Sequence, residues 1–226
     1  MCGRYSFALS ERQVKEHFNN VEIAHLWRTS YNIAPTQHAF VITNDQPQKL
    51  QYLAWGLVPY WSNDGKNKGK LINARMEGIE AKPSFRMPIR EKRCLILADS
   101  YYEWKQYGTQ KRPYRIMLNN QPLMVMAGIW DAWNQDGYMV KTFSIITSPS
   151  NTDVGHIHSR MPVILDTKEK QAEWLGDINL ARTKRLLGTL NPGLLKSYPV
   201  SGRLNSTAYD EPENHVEVPE IPDLFS

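Results

Sequence analysis

Cys2 carries the most distinctive chemistry in this chain. An initiator methionine is normally removed ahead of a small residue, so the mature chain is expected to begin at Cys2. A primary amine and a thiol then sit on adjacent carbons of one residue. Their ordinary pKa values are roughly 7.7–8.0 and 8.5, so a useful fraction of the amine is neutral near pH 7. Such a 1,2-aminothiol reacts with an aldehyde in two steps. The amine forms a Schiff base, and the thiol then closes on the same carbon to give a five-membered thiazolidine. Ring closure is intramolecular and avoids the entropy cost of a second encounter. An internal Cys or Lys gives only the more reversible half of this adduct. The plainer reading, a cysteine incidental to a frayed terminus, stays open on Cys2 alone.

Two further residues have the chemistry to move protons. Glu103 lies between Tyr102 and Trp104, and aromatic flanks predict a partly desolvated carboxyl with a raised pKa. His158 is an imidazole, which ordinarily titrates near about 6.5 and gives or takes a proton at neutral pH. A surface strand glutamate and a satisfied loop histidine are the competing readings.

Charge is uneven along the chain. The formal net charge is +4, yet Lys66 to Arg115 holds 13 Lys and Arg against 5 Asp and Glu, and the remainder is net negative. Trp55, Tyr60, Trp61, Tyr101, Tyr102, Trp104 and Tyr107 lie in or beside this block. Basic residues interleaved with flat rings suit single-stranded nucleic acid, where unpaired bases stack. A solvated basic face with core aromatics is the alternative. Asn205 to Ser226 carries six acids and no Lys or Arg.

The elements that must position these residues are strands more than helices. Ala39–Thr43, Leu50–Trp55, Arg93–Ala98, Pro113–Leu118, Leu123–Trp130 and Tyr138–Thr147 read as strands, with turns at Asn119-Asn120 and Asn134–Gly137. Ser10 with Gln13 forms a capping-box pattern that starts a helix over Glu11–Phe18. Thr167 and Asn179 read as N-caps of helices ending at Gly176 and Gly188. Ser62 to Lys70 reads as a flexible basic loop, and three prolines after Asn205 predict an extended tail. The strands lack regular βαβ spacing. The expected fold is therefore a single α+β domain around a curled, mostly antiparallel β-sheet or barrel with peripheral helices.

Six segments in order resemble one family, the SRAP (abasic-site-processing) proteins. They are Met1-Cys2-Gly3-Arg4-Tyr5, Tyr31-Asn32-Ile33-Ala34-Pro35, Trp55-Gly56-Leu57-Val58-Pro59, Ile72-Asn73-Ala74-Arg75-Met76-Glu77, Tyr102-Glu103-Trp104-Lys105 and Ile157-His158-Ser159-Arg160-Met161-Pro162. The resemblance spans nearly the whole chain, so residues 2–204 are expected to form the SRAP domain and 205–226 an acidic tail. It implies that Cys2 links to the aldehyde of an abasic site in single-stranded DNA as a thiazolidine, shielding the lesion. It also implies autocatalytic removal of Met1, and the Schiff base admits an AP-lyase activity. Glu103 resembles the family's acid/base carboxylate. His158 is placed to protonate the sugar ring oxygen, and Asn73 resembles the amide that holds the sugar hydroxyl. Arg4, Arg75 and Arg160 each lie within two residues of these groups and read as bidentate phosphate clamps. Pro35, Trp61 and Trp104 read as stacking or wedging groups. No metal or organic cofactor is expected. The expected protein is a monomeric cytoplasmic DNA-damage protein, nucleoid-associated when bound to damaged DNA, with a replication or repair partner left unidentified.

Other classes are weaker. The longest apolar stretch, Leu123 to Trp130, is eight residues, against about 20 for a membrane span. Two cysteines make neither a disulfide framework nor a Cys-based zinc site. An N-terminal-nucleophile amidohydrolase would share Cys2, but its substrate-carboxylate Arg motif and Asn-Gly oxyanion segment are not found. A noncatalytic single-strand-binding module would explain the basic aromatic block but not Cys2.

Overall fold

Stretches rich in Val, Ile, Phe and Tyr, broken by polar turns, fold into thirteen strands among the described residues of this computed structural model. Those residues are 2–220 except 20, 24, 67, 68 and 136. Met1, part of the Ser62–Lys70 loop and the end of the tail therefore lie outside the described residues. In chain order the elements are β1 (Arg4–Phe7), α1 (Glu11–His17), β2 (Glu22–Ile23), β3 (Ser30–Ile33), β4 (His38–Thr43), β5 (Lys49–Trp55) and β6 (Asn73–Arg75). Then follow α2 (Pro83–Arg86), α3 (Pro88–Glu91), β7 (Arg93–Ala98), β8 (Ser100–Tyr107), β9 (Gln110–Leu118), β10 (Met124–Gln135) and β11 (Tyr138–Pro149). The chain continues with β12 (Arg160–Pro162), α4 (Lys168–Leu175), α5 (Leu180–Leu186) and β13 (Leu195–Pro199).

One sheet closes on itself. The antiparallel path β11-β10-β7-β4-β5 is joined end to end by a parallel pairing of β5 with β11, making a five-stranded barrel. Closure removes the exposed edges that an open sheet presents. Gly56, with φ of 115°, sits just after β5 and donates its amide to Phe143 of β11, a conformation that favours glycine. Gly128 packs inside the barrel wall, where an added Cβ would lie 2.5 Å from Ile96 Cδ1 and 2.8 Å from Cys94 Sγ. β7 is buried along its whole length. Trp174 of α4 covers it, donating its indole N–H to the Cys94 carbonyl at 3.0 Å.

A second, antiparallel sheet runs β13-β9-β8-β1-β3. Side chains alternate between its faces. Tyr5 and Tyr101 point inward and join the main core with the barrel, whereas Tyr102 and Trp104 point outward and pack with Val200, Leu204 and Tyr198. The mostly antiparallel, curled α+β architecture expected from the sequence is the one observed. The segment after Asn205 does not run extended throughout. Pro212–His215 forms a 3-10 turn, and the Asn32 side chain donates to the carbonyls of Ser206 and Tyr209 at 2.9 and 2.7 Å. No helix among the described residues is long and apolar enough to cross a membrane.

Candidate active site

Cys2 directly precedes β1, and β1 pairs with β8 through Arg4–Tyr102, Tyr5–Tyr101 and Ser6–Ser100. This register brings the terminus alongside Glu103. Two residues beyond Tyr101, Glu103 faces the same inner side of the sheet, and its side chain is 4% exposed. Burial pushes its carboxyl above the usual range, opposed by nearby positive charge, His158 included. Cys2 is fully buried as well. Burial raises its thiol pKa first, and the Glu103 carboxylate raises it further. The thiol is thus held protonated, with Sγ 3.9 Å from the Arg4 carbonyl.

Asn73 reaches Cys2 from the barrel side. It opens β6, a three-residue strand lying parallel to β11 with Asn73 opposite Ile145. Its Nδ2 donates to the Cys2 carbonyl at 2.7 Å. Its Oδ1 is buried and has no hydrogen-bond partner among the described residues, so this acceptor is available to a ligand hydroxyl.

His158 closes the turn between β11 and β12. The turn is anchored by Asp153, whose carboxylate accepts from the amides of Gly193 and Leu195 at 2.9 and 3.1 Å. His158 Nδ1 accepts from the Arg160 amide at 3.0 Å and lies 3.8 Å from Glu103 Oε1. Four residues separated by up to 156 positions thus converge where the second sheet meets the end of β11.

The residues expected to meet DNA divide into two groups. Trp61 and Arg75 are exposed and Pro35 is partly exposed. Pro35 precedes Thr36, which has φ of 75°, the one positive value among the described non-glycine residues. Beside Trp61, Tyr60 has the Lys92 ammonium 5.8 Å from its ring. Arg4 and Trp104 lie instead on the outer face of the second sheet. Arg4 Nη1 donates to Asn32 Oδ1 at 2.6 Å and to the Leu204 carbonyl at 2.7 Å, and its guanidinium lies 6.0 Å from the Trp104 ring centre. Arg160 is held by protein acceptors, Glu77 and Thr147.

Sequence reasoning passed over several neighbours of the site. Thr147 is buried, and its carbonyl and hydroxyl both accept from Arg160. No local signal marks it, because its place depends on the pairing of β11 with β6 and β12. The phenol hydroxyls of Tyr5 and Tyr101 are buried without hydrogen-bond partners among the described residues. Both feel the Cys2 thiol electrostatically, and Tyr101 also feels Glu103.

Cys2, one residue from the start of the sequence, is thus enclosed with a glutamate, an asparagine and a histidine at the junction of a closed barrel and a second sheet. Residues 1–207 match the family model described as SOS response associated peptidase (SRAP), and the chain belongs to that family. It is 40% identical over 220 residues to "Abasic site processing protein YoqW" of Bacillus subtilis (strain 168), covering 94% of this chain and 98% of that one. It is 32% identical over 221 residues to "Abasic site processing protein HMCES" of Gallus gallus, covering 83% of this chain and 66% of that one. A solved structure of a protein from Bacteroides thetaiotaomicron superposes with a TM-score of 0.86 at 29% identity, covering 96% of this chain and 100% of that one.

Proposed function

We propose that this protein processes abasic sites in single-stranded DNA by joining Cys2 to the lesion through a thiazolidine. The observation that carries this reading is the bond from Asn73 Nδ2 to the Cys2 carbonyl, with the Glu103 charge felt by the Cys2 thiol and His158 Nδ1 3.8 Å from Glu103 Oε1. It fixes the aminothiol beside two proton carriers.

The chemistry begins once Met1 is removed and the Cys2 amine is free. His158 protonates the ring oxygen of the closed sugar while the proton of the anomeric hydroxyl passes to Glu103, which opens the ring to the aldehyde. The Cys2 amine attacks the aldehyde carbon, and Glu103 shuttles the proton from nitrogen to oxygen. Loss of one water leaves the Schiff base. The thiol then adds to the same carbon, its proton passing to the nitrogen, and the thiazolidine closes. The balance is one aldehyde plus one aminothiol giving one ring and one water. The raised pKa of Glu103 suits a group that must hold a proton at one step and release it at another. Asn73 Oδ1 is the acceptor for a sugar hydroxyl.

The damaged strand runs over Pro35, Trp61 and Arg75. Both protein bonds of Arg4 use Nη1, leaving Nη2 for a phosphate beside Trp104. Residues 2–204 form the functional domain, a single copy suffices, and the site itself releases Met1. From the Schiff base, removal of a C2′ proton and departure of the 3′ phosphate by β-elimination cleave the strand, which supplies the lyase side reaction.

The test is a denaturing gel with single-stranded DNA carrying one abasic site. Wild type is expected to give a heat-stable shifted band and Cys2→Ala none. A shifted band that persists in Cys2→Ala points to a lysine Schiff base and overturns the reading.

A further inference from the structure

Asn73 opens one of two three-residue strands at the site, and His158 lies two residues before the other. β6 holds β11 through three residue pairs, Ile145–Asn73 to Thr147–Arg75, and β12 through three more, Thr147–Pro162 to Pro149–Arg160. Thr147 is therefore flanked by Arg75 on one side and Pro162 on the other. Three-residue strands carry few main-chain bonds, so their spacing needs a further tie. One guanidinium supplies it. Arg160 Nη1 and Nη2 donate to the two carboxylate oxygens of Glu77 at 2.7 and 3.0 Å. Nη2 also donates to the Thr147 carbonyl at 2.6 Å and lies 3.2 Å from its hydroxyl. Glu77 stands two residues past β6, and Arg160 stands two residues after His158, whose Nδ1 receives the Arg160 amide at 3.0 Å. The tie thus runs from the Asn73 strand, across β11, to the His158 ring.

The geometry of the tie is of the strong kind. The fork-to-fork arrangement fixes orientation as well as distance; the Arg160 side chain is 14% exposed and that of Glu77 48%, so solvent screens the pair from the Glu77 side. Hydrogen bonding to Arg160 holds the Glu77 carboxyl below the usual range. A phosphate arriving at the Nη1/Nη2 edge would have to displace Glu77. Arg75, opposite Thr147 and exposed, feels the Glu77 charge but makes no such forked bond among the described residues.

We propose that Glu77 is a positioning residue for the crosslinking reaction: through Arg160 it sets the separation of Asn73 and His158, while Arg75 carries the phosphate. The inference rests on the crosslinking function proposed above. Catalytic groups lose rate steeply when displaced by about 1 Å, by up to about a hundredfold. The variant Glu77→Gln keeps the size of the side chain and removes the charge that secures the fork.

The experiment separates rate from affinity. Single-turnover crosslinking is followed with saturating single-stranded abasic DNA, per folded molecule, and noncovalent affinity is measured in a Cys2→Ala background. Glu77→Gln is expected to slow crosslinking about tenfold with no loss of affinity, and Glu77→Asp to recover part of the rate. Arg75→Ala, at a residue of the proposed strand path, is expected to weaken noncovalent binding. A wild-type rate in Glu77→Gln, or a loss of affinity matching that of Arg75→Ala, overturns the brace. Absence of any crosslink in wild type overturns the function beneath it, an outcome distinct from wild-type crosslinking with an unaffected Glu77→Gln.

Discussion

The two faces of the second sheet treat their carboxylates in opposite ways. On the outer side Asp99, between β7 and β8, is surrounded by donors: the Ala8 amide at 2.7 Å, Arg115 Nη2 at 2.7 Å, Ser6 Oγ at 3.1 Å and Ser100 Oγ at 3.2 Å. Arg115 is fixed in turn by Ser100 and Tyr198. The C-terminal segment seals this face, with the Tyr198 hydroxyl donating to the His215 carbonyl at 2.9 Å. On the inner side Glu103 is just as buried, and burial pushes its carboxyl up against the pull of nearby positive charge, His158 included. Asp99 is built to hold the fold together. Glu103 sits where ionisation costs free energy, which is the condition for a group that exchanges protons. A short stretch of chain thus carries one carboxylate ringed by donors and one buried beside Cys2, distinguished by their partners.

The comparison breaks most visibly at Glu103. Glu103→Gln is expected to slow crosslinking by about a hundredfold or more while making the protein more stable at neutral pH. The sign follows from linkage. A carboxyl whose folded pKa is raised contributes stability that is fully present below its unfolded value, about 4.3, and is lost as pH rises through the folded value. The variant should therefore match wild type in melting temperature near pH 4 and exceed it at pH 7, as read by thermal scans. Equal melting temperatures at both values would mean that Glu103 is not ionised at a cost.

Asp99→Asn should do the opposite. Removing one partner of a largely buried pair costs about 3 kcal/mol, which lowers the melting temperature of a domain this size by about 6–12 °C. The crosslinking rate of the folded fraction should stay at the wild-type value. A rate loss without a stability loss would erase the distinction between the two faces.

The smallest effect belongs to the DNA surface. Arg75→Ala should reduce the slope of log affinity against log salt by about 0.7, one phosphate contact on single-stranded DNA. The measurement is binding by a Cys2→Ala protein across a salt series, and an unchanged slope removes Arg75 from the phosphate contacts.

Much of the scaffold was legible in the sequence because it follows local rules. Arg93–Ala98 was read with its observed ends, and the capping box of Ser10 with Gln13 forms as expected, with both reciprocal bonds present. Thr167 and Asn179 cap their helices through the amides of Lys170 and Arg182. The strands on either side of Asn119-Asn120 were also found, though β10 and β11 run longer than their apolar stretches. β8 was missed for a physical reason. Its inner face carries Glu103 where a core strand usually carries an apolar side chain, so the alternation that marks a half-buried strand is absent. β1, β3, β6, β12 and β13, of three to five residues, are too short to show a period. They form because longer strands template them, and that information is long-range.

The candidate site was legible in its residue types more than in its assembly. Cys2 announces its chemistry from position alone, and the family motifs brought Asn73, Glu103 and His158 forward. The contact between Asn73 and the Cys2 carbonyl depends on β6 docking parallel to β11, which no window around residue 73 reveals. The occupation of Arg160 by Glu77 is likewise invisible, since 83 residues separate the two.

The most direct test of the account is the intact mass of the covalent product formed with a single-stranded oligonucleotide bearing one abasic site. The account predicts a mass equal to the chain lacking Met1 plus the oligonucleotide minus one water, with peptide mapping placing the DNA on Cys2. A product that keeps Met1, or a linkage mapped to any lysine, would contradict it.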